Sequence, residues 1–117
     1  MTSDEMKART KRFGLDVIIL VTELPRDPVG NVIGRQLVRC ATSVGANYRA
    51  ACRGKSAADF VAKLKIVEEE ADESLYWLEL LRESRIVPSE ILQPLLSEAD
   101  QLVAITVATI KKKRETM

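Results

Sequence analysis

Histidine is absent from all 117 residues of this chain. That removes Ser-His and Cys-His catalysis, imidazole general bases, nearly every structural zinc site and the helical ribonucleases built on an Arg-to-His motif. Cysteine is reduced to Cys40 and Cys52. Placed on one helix, these two thiols would lie about 18 Å apart and cannot bond to each other. They read as small, largely buried residues in a reducing cytoplasm. Aromatics make up only 4%, and the chain has five glycines and four prolines. Ala, Leu, Glu, Lys and Arg therefore set its character, which is helical. Long apolar runs are missing too. The longest, Val17 to Val21, is far too short to cross a bilayer, and the polar stretch Met1 to Arg12 has no signal-peptide pattern. The expectation is a cytoplasmic protein with no membrane partner.

What is present is enough apolar material, 46%, for one domain spanning residues 1–117 with a single core. Four amphipathic segments follow in order, at about 3–24, 31–53, 56–84 and 89–114. Ser3 or Asp4 is a plausible N-cap for the first, whose inward stripe is Met6, Phe13, Val17, Leu20 and Leu24. The Pro25–Asn31 segment, with two prolines and a glycine, reads as the clearest loop. The second stripe is Ile33, Leu37, Cys40, Val44, Tyr48 and Ala51, and Gly54 suits the position just past that helix. Ser56 followed by Asp59 forms a near capping box for a third helix carrying Phe60, Leu64, Val67, Ala71, Leu75, Leu78 and Leu81. Pro88 opens a fourth with Leu92, Leu95, Ala99, Leu102, Thr106 and Ile110 inward. Long helices joined by short loops predict an all-α, antiparallel up-down four-helix bundle.

Formal net charge is only +1, but it is unevenly distributed. Residues 25–55 carry a balance of +5, and residues 56–85 a balance of −4. Arg35, Arg39, Arg49 and Arg53 fall on one face of the second helix, opposite its apolar stripe, with Thr42 and Ala46 between them. Lys55 and the first-helix residues Lys7, Lys11 and Arg12 extend this basic patch. Two readings stand side by side. The arginines neutralise phosphates of RNA or a ribonucleoprotein, or they form salt bridges with the acidic third helix inside or between subunits. Glu68, Glu69, Glu70, Asp72 and Glu73 supply the acids for the second reading. That acidic run also invites a metal assignment, but di-iron bundles pair glutamates with Glu-x-x-His motifs, so neither a metal site nor any other cofactor is expected. Asn47, on the inward side of helix two, is expected to hydrogen-bond a neighbouring helix. Ser43, Gly45 and Ala46 would let that helix approach closely. Tyr48, like Trp77, reads as structural: of the adjacent Tyr76 and Trp77, one should join the core and the other a subunit interface. The terminal Lys111–Arg114 run favours the dipole at a helix C-terminus and otherwise reads as a frayed or phosphate-binding tail.

Helix one is apolar on more than one face (Leu15, Val17, Ile18, Ile19, Leu20, Val21), and helix four adds Ile105 and Val107. One core needs one stripe per helix, so the surplus predicts a homo-oligomer. The combination of Ser43-Val44-Gly45-Ala46-Asn47-Tyr48-Arg49 with Tyr76-Trp77-Leu78-Glu79-Leu80-Leu81, together with Arg35-Gln36-Leu37 and the Leu92–Ala99 segment, resembles the bacterial four-helix-bundle family. Some of its members are encoded in intervening sequences of 23S ribosomal RNA genes. Ala50 departs from it, standing where glutamate is common. The resemblance implies a small cytoplasmic bundle assembled as a ring-like homopentamer, related to the nucleic-acid-binding accessory protein of diversity-generating retroelements. It brings no catalytic residues. The expected function is that of a non-enzymatic binding or scaffold protein, contacting RNA or a ribonucleoprotein through Arg35, Arg39, Arg49, Arg53 and Lys55. The alternative is a purely protein-binding scaffold whose arginines are consumed by salt bridges.

Overall fold

The polar residues ahead of each apolar stripe decide where the helices begin. In the computed structural model, which describes all 117 residues, they define α1 (Ser3–Thr22), α2 (Pro28–Cys52), α3 (Ala57–Glu83) and α4 (Ser89–Glu115), with no strand. Thr2, rather than Ser3 or Asp4, caps α1. Its hydroxyl accepts from the Glu5 N–H at 3.1 Å, and the Glu5 carboxylate accepts from the Thr2 N–H at 3.3 Å. The second helix begins three residues before Asn31. Asp27 Oδ1 accepts from the Gly30 N–H at 2.8 Å, and Pro28 takes the first helical position, where its missing N–H leaves nothing unpaired. Part of the expected loop is thus the first turn of α2. Ser56 caps α3 as expected, accepting from the Asp59 N–H at 3.1 Å. Gly54 follows that end of α2 but keeps a negative φ. Its constraint is space, since a Cβ there would sit 2.6 Å from Asp59 Oδ2.

Chain direction is legible in the contacts. Thr10 lies against Gly45, Gly14 against Ala41 and Thr42, and Val21 against Gly34, so α1 runs antiparallel to α2. Short connections reverse the chain again before α3 and α4, giving an up-down bundle with extents of 47 × 20 × 19 Å. The expected stripes of α1, α2 and α4 are buried throughout; on α3 only Phe60 and Leu75 sit half-buried at the core's edge. The buried Thr10, Ser74 and Thr106 hydroxyls donate to the carbonyls of Met6, Glu70 and Leu102, four residues back. No buried side-chain polar atom is left without a partner.

Closure around the bundle is uneven. Helices α1/α2, α2/α3 and α3/α4 pack along most of their length, whereas α1 and α4 touch far less. A groove of about 670 Å³ opens along that seam, floored by Phe13, Leu20, Leu24 and Leu95. The surplus apolar residues divide accordingly. Leu15, Ile18, Ile19 and Val107 remain exposed, while Val21 and Ile105 pack half-buried against the core.

Arg85, in the turn after α3, has φ 61°, a left-handed conformation that costs a side-chain-bearing residue about 1–2 kcal/mol. Arg85 is exposed. Arg85→Gly should raise the unfolding free energy by about 0.5–1 kcal/mol, the unfolded chain's extra freedom offsetting part of the gain. Urea denaturation reads this directly.

Candidate nucleic-acid interface

The four arginines of the α2 face do not share one environment. Arg39 leans toward α3. Its Nη1 donates to Glu70 Oε2 at 3.2 Å, its Nη2 donates to Glu73 Oε2, and its Nε donates to Gln36 Oε1 at 3.2 Å. Glu73 Oε2 also accepts from the Trp77 indole N–H at 3.1 Å. These contacts, with the indole bond the largest influence, hold the Glu73 carboxyl below its ordinary value of 4.5, and the paired Arg39 guanidinium is pushed up. A depressed carboxylate contributes stability that is present above its unfolded-state pKa and lost as pH falls through its lower folded value. Glu73→Gln should therefore lower stability at about pH 6 and lose that difference progressively below 4.5. Denaturant midpoints of both proteins between about pH 6 and pH 3 test the convergence.

Arg49 leans the other way, toward α1. It lines a groove of about 520 Å³ with Lys7 and Lys11, over a floor of Gly14, Thr42, Gly45 and Ala46. No carboxylate lines this groove, whose remaining wall includes Leu15 and Ile18. Lys7 makes only a long exposed contact, 4.0 Å, to Asp4 in the first turn. At the far end of the same α1–α2 face, Arg26 and Arg35 line a second hollow with Thr22 and Asn31, again without a carboxylate. Arg35, Arg49, Arg53 and Lys55 make no side-chain salt bridge. Arg12 does not extend this patch. It pairs with Asp16 at 3.2 Å and lines the α1–α4 groove instead.

The other singled-out residues have structural placements. Asn47 does not reach another helix; its amide donates to the Ser43 carbonyl of its own helix at 2.9 Å. The small residues nearby do admit α1, since a Cβ on Gly45 would meet Thr10 at 3.4 Å. Tyr48 is buried, and burial, followed by the neighbouring Cys52 thiol, pushes its phenol up to about 12. The Cys40 thiol is likewise pushed up by burial, and both cysteines are free. Trp77 packs at the core margin, edge-to-face with the exposed Tyr76 at 5.3 Å. The Lys111–Arg114 run is the last turn of α4 rather than a frayed tail, with Lys113 Nζ 5.7 Å from the centre of the Phe60 ring.

A further cluster has no local signal in the sequence. Arg9 bridges α1 to α4, donating to Glu98 at 2.6 and 2.8 Å and to Gln101 at 2.7 Å. With Arg9 and Glu98 each about three-quarters covered, this pair ties the loosest seam of the bundle. No three acidic or thiol side chains converge as metal ligands would, and no helix is long and apolar enough to cross a membrane.

The 23S rRNA-intervening sequence protein family matches residues 4–108. The chain belongs to that family. A crystal structure from the S23 ribosomal protein family of Bacteroides thetaiotaomicron, a protein of unknown function, superposes with a TM-score of 0.87 at 31% identity, over 95% of this chain and 99% of that one. No curated protein matches the chain. The span matched to the 23S rRNA-intervening sequence family includes every cation of the α1–α2 face and stops before Lys111–Arg114.

Proposed function

We propose that this chain is a non-enzymatic, cytoplasmic binding protein that associates with RNA, free or within a ribonucleoprotein, through the α1–α2 face. The observation that carries the reading is the acid-free groove of Lys7, Lys11 and Arg49. Lys11 and Arg49 have no salt-bridge partner and Lys7 only the long contact to Asp4, so these cations keep their capacity to displace counterions from a phosphate chain. Arg35 lines the second hollow of the same face, and Arg53 follows Arg49 by one turn at the end of α2. Lys55, by contrast, lies at the end of the bundle with Phe60 and Lys113, and Arg39 is held by α3 and acts in positioning the two helices. Membership of the 23S rRNA-intervening sequence protein family is in keeping with such a ligand.

The apolar surplus supports assembly as well as binding. Ile19 and Ile91 stand exposed on the two walls of the α1–α4 groove, and Val107 adds to the uncovered apolar surface. A ring-like homopentamer covers such faces and repeats the basic groove, so that several weak contacts act together. The other reading, a scaffold for proteins alone, rests on the Arg39–Glu70–Glu73 pairing and accounts for one arginine of the four. Size-exclusion chromatography with light scattering, with the 260/280 nm ratio followed through a high-salt wash, separates the two. A pentamer that carries salt-releasable nucleic acid, or takes up added RNA, supports the proposal. A pentamer that ignores RNA favours the protein scaffold, and a monomer contradicts the assembly.

A further inference from the structure

We infer that the ligand of this face is a double helix, gripped by its two phosphate strands, rather than a single strand read through its bases. The inference rests on the nucleic-acid reading of the α1–α2 face and specifies what that face accepts. Its first ground is the distribution of free charge. Arg35 and Arg49 are fourteen residues apart on the continuous helix α2, so the two cationic ends lie about 21 Å apart along the axis. The arginine between them, Arg39, is committed to Glu70 and Glu73 on the neighbouring helix. Between the ends, the α1 side of the face offers Leu15 and Ile18, both exposed and uncharged. Two positive ends around a neutral middle match a ligand that presents two rows of phosphate with a groove between them. A single strand lying along the face would leave its central phosphates without a cation.

The second ground is the placement of the aromatic rings. Single-strand binding uses aromatic platforms on which successive bases stack. All five aromatic side chains of this chain lie elsewhere. Phe13 and Tyr48 are buried in the core, Phe60 sits at its edge beneath Lys113, and Tyr76 and Trp77 stand on α3 near Glu73. The basic face therefore has no aromatic stacking surface. Contacts limited to phosphates and the sugar edge discriminate shape, not sequence. Duplex RNA and duplex DNA share the two-strand chemistry, and the wide, shallow minor groove of the A-form is the better fit to a flat helical face.

The test is competition at fixed ionic strength between duplex RNA, duplex DNA of the same sequence and the two separated RNA strands, read by fluorescence anisotropy on the full-length protein. Duplex RNA should bind at least about tenfold more tightly than either strand, with duplex DNA in between. Replacing the paired sequence by an unrelated one should change affinity by less than about twofold. Reversal of either end alone, Arg26→Glu with Arg35→Glu or Lys11→Glu with Arg49→Glu, should remove most of the duplex preference, because a duplex needs both. Single strands binding as tightly as duplex would overturn this inference and leave nucleic-acid binding intact. Duplex DNA binding more tightly than duplex RNA would keep the two-strand grip and overturn the A-form assignment. Failure of all three ligands would remove the nucleic-acid reading itself.

Discussion

Replacing Gly30 by alanine should cost the fold about 3 kcal/mol, one of the largest single-residue effects in the chain. A Cβ at this position would lie 2.1 Å from the Pro25 carbonyl oxygen and 3.1 Å from its carbon, both backbone atoms that cannot swing aside. The Gly30 N–H is also the donor in the Asp27 cap, so a shift that relieves the clash breaks the first turn of α2. Overpacking of this kind costs about 1–3 kcal/mol, and loss of a cap adds about 1. The expected fall in melting temperature is roughly 10–15 °C. Gly14→Ala is the matched control. Its Cβ would meet nothing closer than 3.7 Å, and alanine is favoured over glycine in a helix interior by about 0.5–1 kcal/mol. Differential scanning calorimetry on both variants should show opposite signs. Equal, small shifts would mean that the Pro25–Gly30 corner is not built as described.

The second large effect is on binding. Lys11→Glu combined with Arg49→Glu places two carboxylates in a groove that now has none. Each reversal removes a phosphate contact and adds a repulsion, so affinity for duplex RNA should fall by about a hundredfold, near 2.7 kcal/mol. Both side chains are exposed and make no salt bridge, so the bundle itself should lose less than about 1 kcal/mol, chiefly from Arg49 in the last turn of α2. Reversing Arg39 should do the opposite. It sets a carboxylate against Glu70 and Glu73, leaves the Trp77–Glu73 bond without its cation, and damages stability more than RNA affinity. Circular dichroism melts beside binding isotherms separate the two classes of variant.

The stripes were legible in the sequence because a 3.6-residue period reports burial directly, from Met6 to Leu20 on α1 and from Ile33 to Ala51 on α2. The division of the arginines was less so. Arg39 and Arg49 are about 80° apart around the helix axis at about 100° per residue, enough to send one toward α3 and the other toward α1, but the sequence does not say which helix lies on which side. Arg9 and Glu98 are 89 positions apart, a separation at which no local pattern operates. The start of α2 was obscured because proline and glycine signal a loop and a helix start equally well, and only the Asp27 cap distinguishes them. The same ambiguity of direction made Asn47 look like a link to a neighbouring helix, when its amide closes on its own.

The most direct test of the α1–α2 face as a phosphate-binding surface is the salt dependence of RNA affinity. About four neutralised phosphates predict a slope of log K against log salt of about −2.8 to −3.6, and the Lys11→Glu, Arg49→Glu protein should lose about half of it. A slope shallower than about −1.5, or no measurable binding at low salt, would contradict the account and leave these cations without a nucleic-acid role.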